Sequence, residues 1–127
     1  MTDKLTMFPT YYFLTQLGPD GMELWWKELN VGEYDVSTSV VETTDGGFLV
    51  GGASLLSEGI HWSIFIDKTD SEGNLEWRKI YDNENSQVAL AAHETRDGGY
   101  IIVGYRSSQT DGSNDVLLMK TDAEGNL

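Results

Sequence analysis

An all-β fold built from short antiparallel sheets is what this sequence predicts, and three observations carry the prediction. Its 14 glycines, against only 2 prolines, fall largely at turn positions between runs of β-branched, aromatic and aliphatic residues. The chain matches itself without a gap at an offset of 52 residues. Two of its apolar runs are continuous rather than alternating, the mark of strands covered on both faces.

The self-match is organised in blocks. Glu42-Thr43-x-Asp45-Gly46-Gly47 lies over Glu94-Thr95-x-Asp97-Gly98-Gly99, and Gly52 lies over Gly104. Lys68-Thr69-Asp70-x-Glu72-Gly73-Asn74-Leu75 lies over Lys120-Thr121-Asp122-x-Glu124-Gly125-Asn126-Leu127. Gly21, Trp25 and Lys27 fall over Gly73, Trp77 and Lys79, so the register extends toward the N-terminus. In all, 18 of the 75 pairs are identical.

Turn residues cut each unit into four strands. The first is expected at 36–44 and 88–95, followed by Asp-Gly-Gly, whose glycines supply the positive φ of a tight hairpin. The second is expected at 48–54 and 100–107. Polar loops at 55–61 and 108–114 then lead to the third, at 62–69 and 115–121. Asp-x-Glu-Gly-Asn makes the next turn, and the fourth strand is expected at 75–81. Ser63-Ile64-Phe65-Ile66 and Asp115-Val116-Leu117-Leu118-Met119 are apolar after their first residue, so both faces of each third strand should be buried.

A four-stranded sheet that needs cover on both faces and recurs every 52 residues is what radial stacking of β-propeller blades requires. The pattern Thr-x-Asp-Gly-Gly-aromatic, then Lys-Thr-Asp-x-x-Gly-Asn-x-x-Trp, also resembles a bacterial and archaeal propeller-type repeat with a kelch-like blade layout. The resemblance covers roughly residues 11–127. It implies a blade scaffold, often found in tandem in secreted or surface proteins, and names no activity. In the second unit Ser113-Asn114 and Asp115 stand where the first has His61-Trp62 and Ser63.

As read from the sequence, residues 1–127 form one repeat domain. It has a partial blade at 11–30 (strands three and four), a complete blade at 36–81, and a blade at 88–127 lacking its fourth strand. That is about 2.4 units, where a ring needs four to eight blades. The expectation is a piece of a larger propeller, or copies that complete one another head to tail. In either case apolar faces and strand edges would be open.

Eight Lys and Arg against 21 Asp and Glu give a net charge of −13, which disfavours nucleic acid and anionic membrane surfaces. Cysteine is absent, so disulfide and thiolate chemistry are excluded. The start, Met1 to Leu17, has neither the basic nor the apolar segment of a signal peptide, and no window is long enough for a membrane-spanning helix.

Trp25 and Trp77 recur and are assigned to packing, together with the turn residues Gly46, Gly47, Gly98, Gly99, Gly73, Asn74, Gly125 and Asn126. Residues that do not recur are the ligand candidates: Trp26 in the partial blade, His61 and Trp62 beside the first loop, His93 on a first strand, which in propellers lines the channel, and Asp111 and Asp115 near the second loop. Asp111-x-Ser113-x-Asp115 and Asp82-x-Glu84 have oxygen ligands at alternating spacing, but lack the Gly and Glu of a calcium loop, and no metal or cofactor is assigned. Asp67-x-x-Asp70-x-Glu72-Gly73-Asn74 reads as an Asx-type turn. It is also a partial match to the Asp-box of sialidases, a fold mark. No Gly-x-Ser-x-Gly is present. The expected function is a non-catalytic scaffold for binding protein or carbohydrate, with a structural spacer or the non-catalytic part of a propeller hydrolase or lyase as alternatives.

Overall fold

The computed structural model describes residues 10–56, 61–82, 85–108 and 110–127. Among these, nine strands form: β1 (Tyr12–Leu17), β2 (Glu23–Leu29), β3 (Tyr34–Glu42), β4 (Phe48–Leu55), β5 (Trp62–Thr69), β6 (Leu75–Tyr81), β7 (Gln87–Glu94), β8 (Tyr100–Ser107) and β9 (Asn114–Thr121). They make three antiparallel sheets, β1-β2, β3-β4-β5-β6 and β7-β8-β9, each strand paired with its neighbour in sequence. No helix is present among the described residues.

The first strand of each full unit starts earlier and stops earlier than its expected span. Tyr34 and Asp35 pair with Leu55 and Ser54, while the buried Asp35 carboxylate accepts the backbone N–H of Val31 and Gly32 and the Ser54 hydroxyl. At the other end, the backbone of Thr43 and Thr95 already belongs to the hairpin turn.

The two Asp-Gly-Gly turns are superimposable in their bonding. Thr43 N–H donates to Gly47 O, and Thr95 N–H to Gly99 O. Asp45 accepts the Thr43 hydroxyl and Gly47 N–H, and Asp97 accepts those of Thr95 and Gly99. Lys68 and Lys120 reach the same carboxylates at 2.9 and 3.0 Å. The two glycines have different reasons. Gly46 and Gly98 take φ of 86° and 83°. At Gly47 and Gly99 a Cβ would lie 2.1 Å from the carbonyl of Thr69 or Thr121, so only glycine lets the turn close on the third strand.

Irregularities also fall 52 residues apart. The register shifts between Ser37 and Ser39 and between Ala89 and Ala91, and in both places a Cβ on the facing Gly52 or Gly104 would strike the carbonyl of Val36 or Val88 at 2.0 Å. Further shifts occur at Gln16/Leu17 and Lys68/Thr69.

Two apolar clusters seal the sheets together. The first holds Tyr12, Leu14, Val50 and Phe65 with Trp25, Leu29 and Phe48, joining the first sheet to the second. Adding 52 to each number gives Ile64, Ile66, Ile102, Leu117, Trp77, Tyr81 and Tyr100, and all seven lie in the cluster joining the second sheet to the third. Trp25 meets Phe48 with ring centroids at 5.9 Å, and Trp77 meets Tyr100 at 5.8 Å. Each tryptophan ring also leaves no room for a Cβ on the next turn glycine, Gly73 or Gly125. Burial of side chains such as Phe65 and Ile64 contributes about 1.5–3 kcal/mol each.

The expectation that both third strands are covered on both faces holds for only one of them. In β5 every residue from Ser63 to Thr69 is buried, whereas in β9 Val116 is 85% and Leu118 64% exposed. Ile64 and Ile66, their counterparts, are covered by the third sheet; nothing among the described residues occupies that position against β9. The opposite end of the molecule is open too. Phe13 is 63% exposed, while its counterpart Phe65 is fully buried in a stack with Tyr12.

Candidate functional site

Of the residues singled out from the sequence, His61 and Trp62 are brought into one neighbourhood. The cleft lies where the second and third sheets meet at their loop ends, and has a volume of ≈ 480 Å³. Val36 and Ala53 line it from the second sheet with Trp62, and Ser86, Val88, Tyr105 and Ser107 line it from the third. Trp62 N–H donates to the Ser86 hydroxyl at 3.0 Å and so joins the two sides, while Ser107 N–H donates to Ser86 O at 2.9 Å and holds Ser86 on the third-sheet side.

Beside Trp62, the Asp82 carboxylate joins two side chains. His61 Nε2 lies 2.8 Å from Asp82 Oδ1, and the Ser63 hydroxyl donates to the same oxygen at 2.9 Å. These are the residue types of a nucleophilic triad in the wrong order. A general-base histidine must take the serine proton, whereas here the acid stands between them and Ser63 is 1% exposed. The group fixes the start of β5.

The other candidates do not converge on this cleft. His93 is exposed on β7, directly across from Ile101. It stands five residues along the strand from Val88, about 16 Å at the usual strand rise. Asp111 is exposed, accepts the Ser113 hydroxyl and N–H, and is held below its ordinary pKa, first by that hydroxyl and then by the N–H. Asp115 pairs with Arg106 at 3.7 Å. Glu84 lies outside the described residues. Among those described, no group of three or more His, Asp or Glu side chains is placed to hold a metal ion. Nor is any helix long and apolar enough to cross a membrane.

Asp67 requires a correction. It is not part of the turn after β5, which is held by Asp70: its carboxylate accepts the N–H groups of Glu72 and Asn74 and the Asn74 side-chain amide. Those bonds, the Asn74 amide first, hold Asp70 below its ordinary range. Asp67 is instead fully buried within β5, facing the first sheet. Arg78 grips it with Nε and a terminal nitrogen, both at 2.7 Å, and Tyr12 donates its hydroxyl to the same carboxylate. The remaining guanidinium nitrogen donates to Asn30 O at 2.6 Å. Burial, then the Asp67 charge, pushes Tyr12 far above its ordinary pKa, and Arg78 is raised by its bond to Asp67.

Tyr105, Ser86, Tyr12 and Arg78 were not singled out from the sequence, and Asp67 was read there only as part of a turn. One signal was present. Each breaks the 52-residue match, with Tyr105 over Ala53, Ser86 over Tyr34, Asp67 over Met119, and Arg78 over Trp26. Set against known proteins, the chain matches no family model and no curated relative.

Proposed function

We propose that this chain is part of a non-catalytic β-propeller-type scaffold that binds a protein or carbohydrate ligand in the cleft around Trp62. Support for the propeller arrangement comes from the two contact clusters 52 residues apart, the paired turns and bulges, and the open faces at both ends, where further units of the same chain or other copies would stack. One observation carries the binding reading. The tryptophans that recur, Trp25 and Trp77, are committed to packing between sheets, while two aromatic residues that do not recur, Trp62 and Tyr105, line a single cleft. Aromatic surface beside a few hydroxyls is the usual composition of a ligand pocket, and this cleft falls within the usual size range.

The test is a titration of the chain with neutral oligosaccharides and with short peptides, followed by tryptophan fluorescence. Binding that is lost in Trp62→Ala and Tyr105→Ala, but kept in Trp26→Ala at the far end of the molecule, is the expected result. Ligands that bind all three variants alike would remove the cleft from consideration.

A further inference from the structure

We propose that the cleft around Trp62 takes a proline-rich peptide segment in the extended polyproline conformation, with a lysine or arginine at one end of it. This names the ligand class of the binding reading above and rests on that reading.

Two observations select that ligand. The first is the hydrogen bonding the cleft leaves unused. The Trp62 backbone N–H is spent on Ser86, and the Ser107 hydroxyl donates to Asn114 Oδ1 at 3.0 Å. Among the described residues, no partner takes the Trp62 indole N–H, the Tyr105 hydroxyl hydrogen or the Ser86 hydroxyl hydrogen. Neither a carboxylate nor a side-chain amide lines the cleft among those residues, and the rest of its wall is Val36, Ala53 and Val88. Such a wall suits a ligand with apolar bulk and carbonyl acceptors but few donors. Proline supplies a ring and a carbonyl with no N–H, and the polyproline helix leaves its carbonyls unbonded and is already ordered, which is why aromatic-lined grooves capture it. A sugar hydroxyl asks for an acceptor as well as a donor, and acceptors are what this wall lacks. The second observation is charge. Lys68 and Lys120 are held at the opposite end of the sheets by Asp45 and Asp97, and Lys27 and Lys79 lie there against Gly73 and Gly125. Nearer the cleft, Arg78 is committed to Asp67 and Asn30 O, and Arg106 to Asp115. Beside Trp62, the Asp82 side chain remains 60% exposed while bonded to His61 and Ser63, and the exposed Glu33 stands next to Leu55. In a chain of net charge −13, the rim of this cleft draws a basic residue at the end of the peptide.

Fluorescein-labelled Arg-Pro-Leu-Pro-Pro-Leu-Pro, titrated with the full 127-residue chain and followed by anisotropy, tests this. Saturable binding is expected, weakened about tenfold when alanine replaces every proline of the peptide. Glutamate in place of its arginine should cost about fivefold at low salt, a difference that shrinks in about 1 M salt. Trp62→Phe and Tyr105→Phe keep a ring and lose a donor, and each should weaken the peptide about fivefold. Asp82→Asn retains an acceptor for the Ser63 hydroxyl, and should narrow the preference for arginine over glutamate while leaving the preference for proline. An alanine peptide that binds as well as the proline peptide, or full affinity in both phenylalanine variants, would overturn this ligand class. If neutral oligosaccharides then bind and are lost in Trp62→Ala, the cleft reading survives without it. If neither peptide nor oligosaccharide responds to Trp62→Ala, both readings fall.

Discussion

The two contacts between sheets use corresponding positions and fill them with different chemistry. Between the first and second sheets, Tyr12 and Arg78 close on the buried Asp67 carboxylate. Between the second and third, Ile64 stands in the place of Tyr12 and Met119 in the place of Asp67, and the same space is closed by hydrocarbon. Around both centres the frame is constant, with a tryptophan against an aromatic residue and a turn glycine. The difference separates what the stacking geometry demands, the aromatic and glycine frame, from what it merely permits at its centre.

The comparison breaks most severely if the charge is left alone. Arg78→Leu strands the Asp67 carboxylate in the interior and should cost about 3–5 kcal/mol, read from urea unfolding, while Asp67→Met with Arg78→Leu and Tyr12→Phe, which leaves hydrocarbon in place of all three polar groups, should fall within about 1 kcal/mol of the parent. Phe65→Ala should cost about 3–5 kcal/mol and its exposed counterpart Phe13→Ala less than about 1, because only the first opens a cavity. In the hairpins, Gly47→Ala must push against the Thr69 carbonyl and should cost roughly 1–3 kcal/mol or more. Gly46→Ala meets no atom and should cost about 1–2 kcal/mol for its backbone conformation alone. Gly99→Ala and Gly98→Ala should reproduce that order in the third sheet.

Smaller effects come with pH. Asp45 and Asp97 are held far below the ordinary carboxylate range, in both cases first by a threonine hydroxyl, next by a glycine N–H, then by lysine. Their folded-state values lie under the unfolded ones, so the unfolded chain takes up protons first. The stabilisation is complete above about pH 4 and is lost as pH falls below it. Asp45→Asn should therefore flatten the acid limb of a plot of urea midpoint against pH. On the alkaline side, burial pushes Tyr81 up to about 12, and a group raised on folding favours its protonated form. Its contribution should persist to about pH 10 and disappear as pH rises through 12, and Tyr81→Phe should remove that slope.

Much of the fold was legible because its determinants are local. Glycine with positive φ, an aspartate that ties its own turn, and runs such as Phe48 to Val50 or Ile64 to Ile66 announce themselves within a few residues. The offset of 52 then places each run in a unit. Two kinds of fact stayed out of reach. Val116 and Leu118 carry the composition of a covered strand, but composition does not say whether a cover is at hand, and among the described residues nothing packs on them as the third sheet packs on Ile64 and Ile66. Tyr12 and Asp67 are 55 residues apart, so their contact exists only once two sheets meet. The candidate site was half legible. His61 and Trp62 stood out by failing to recur, whereas Tyr105 was hidden inside an ordinary strand, and His93 proved to be at the far end of its own.

The Tyr12–Asp67–Arg78 cluster has a further consequence for assembly. Chains made of similar sheets risk joining them in the wrong order, since corresponding surfaces have similar shapes. A polar lock at one joint and grease at the next gives each joint its own address. Seated on the third sheet instead of the second, β1 would bring the Tyr12 hydroxyl against Met119, whose thioether is a far weaker acceptor than the Asp67 carboxylate. Those lost hydrogen bonds would favour the first sheet's own seat on the second.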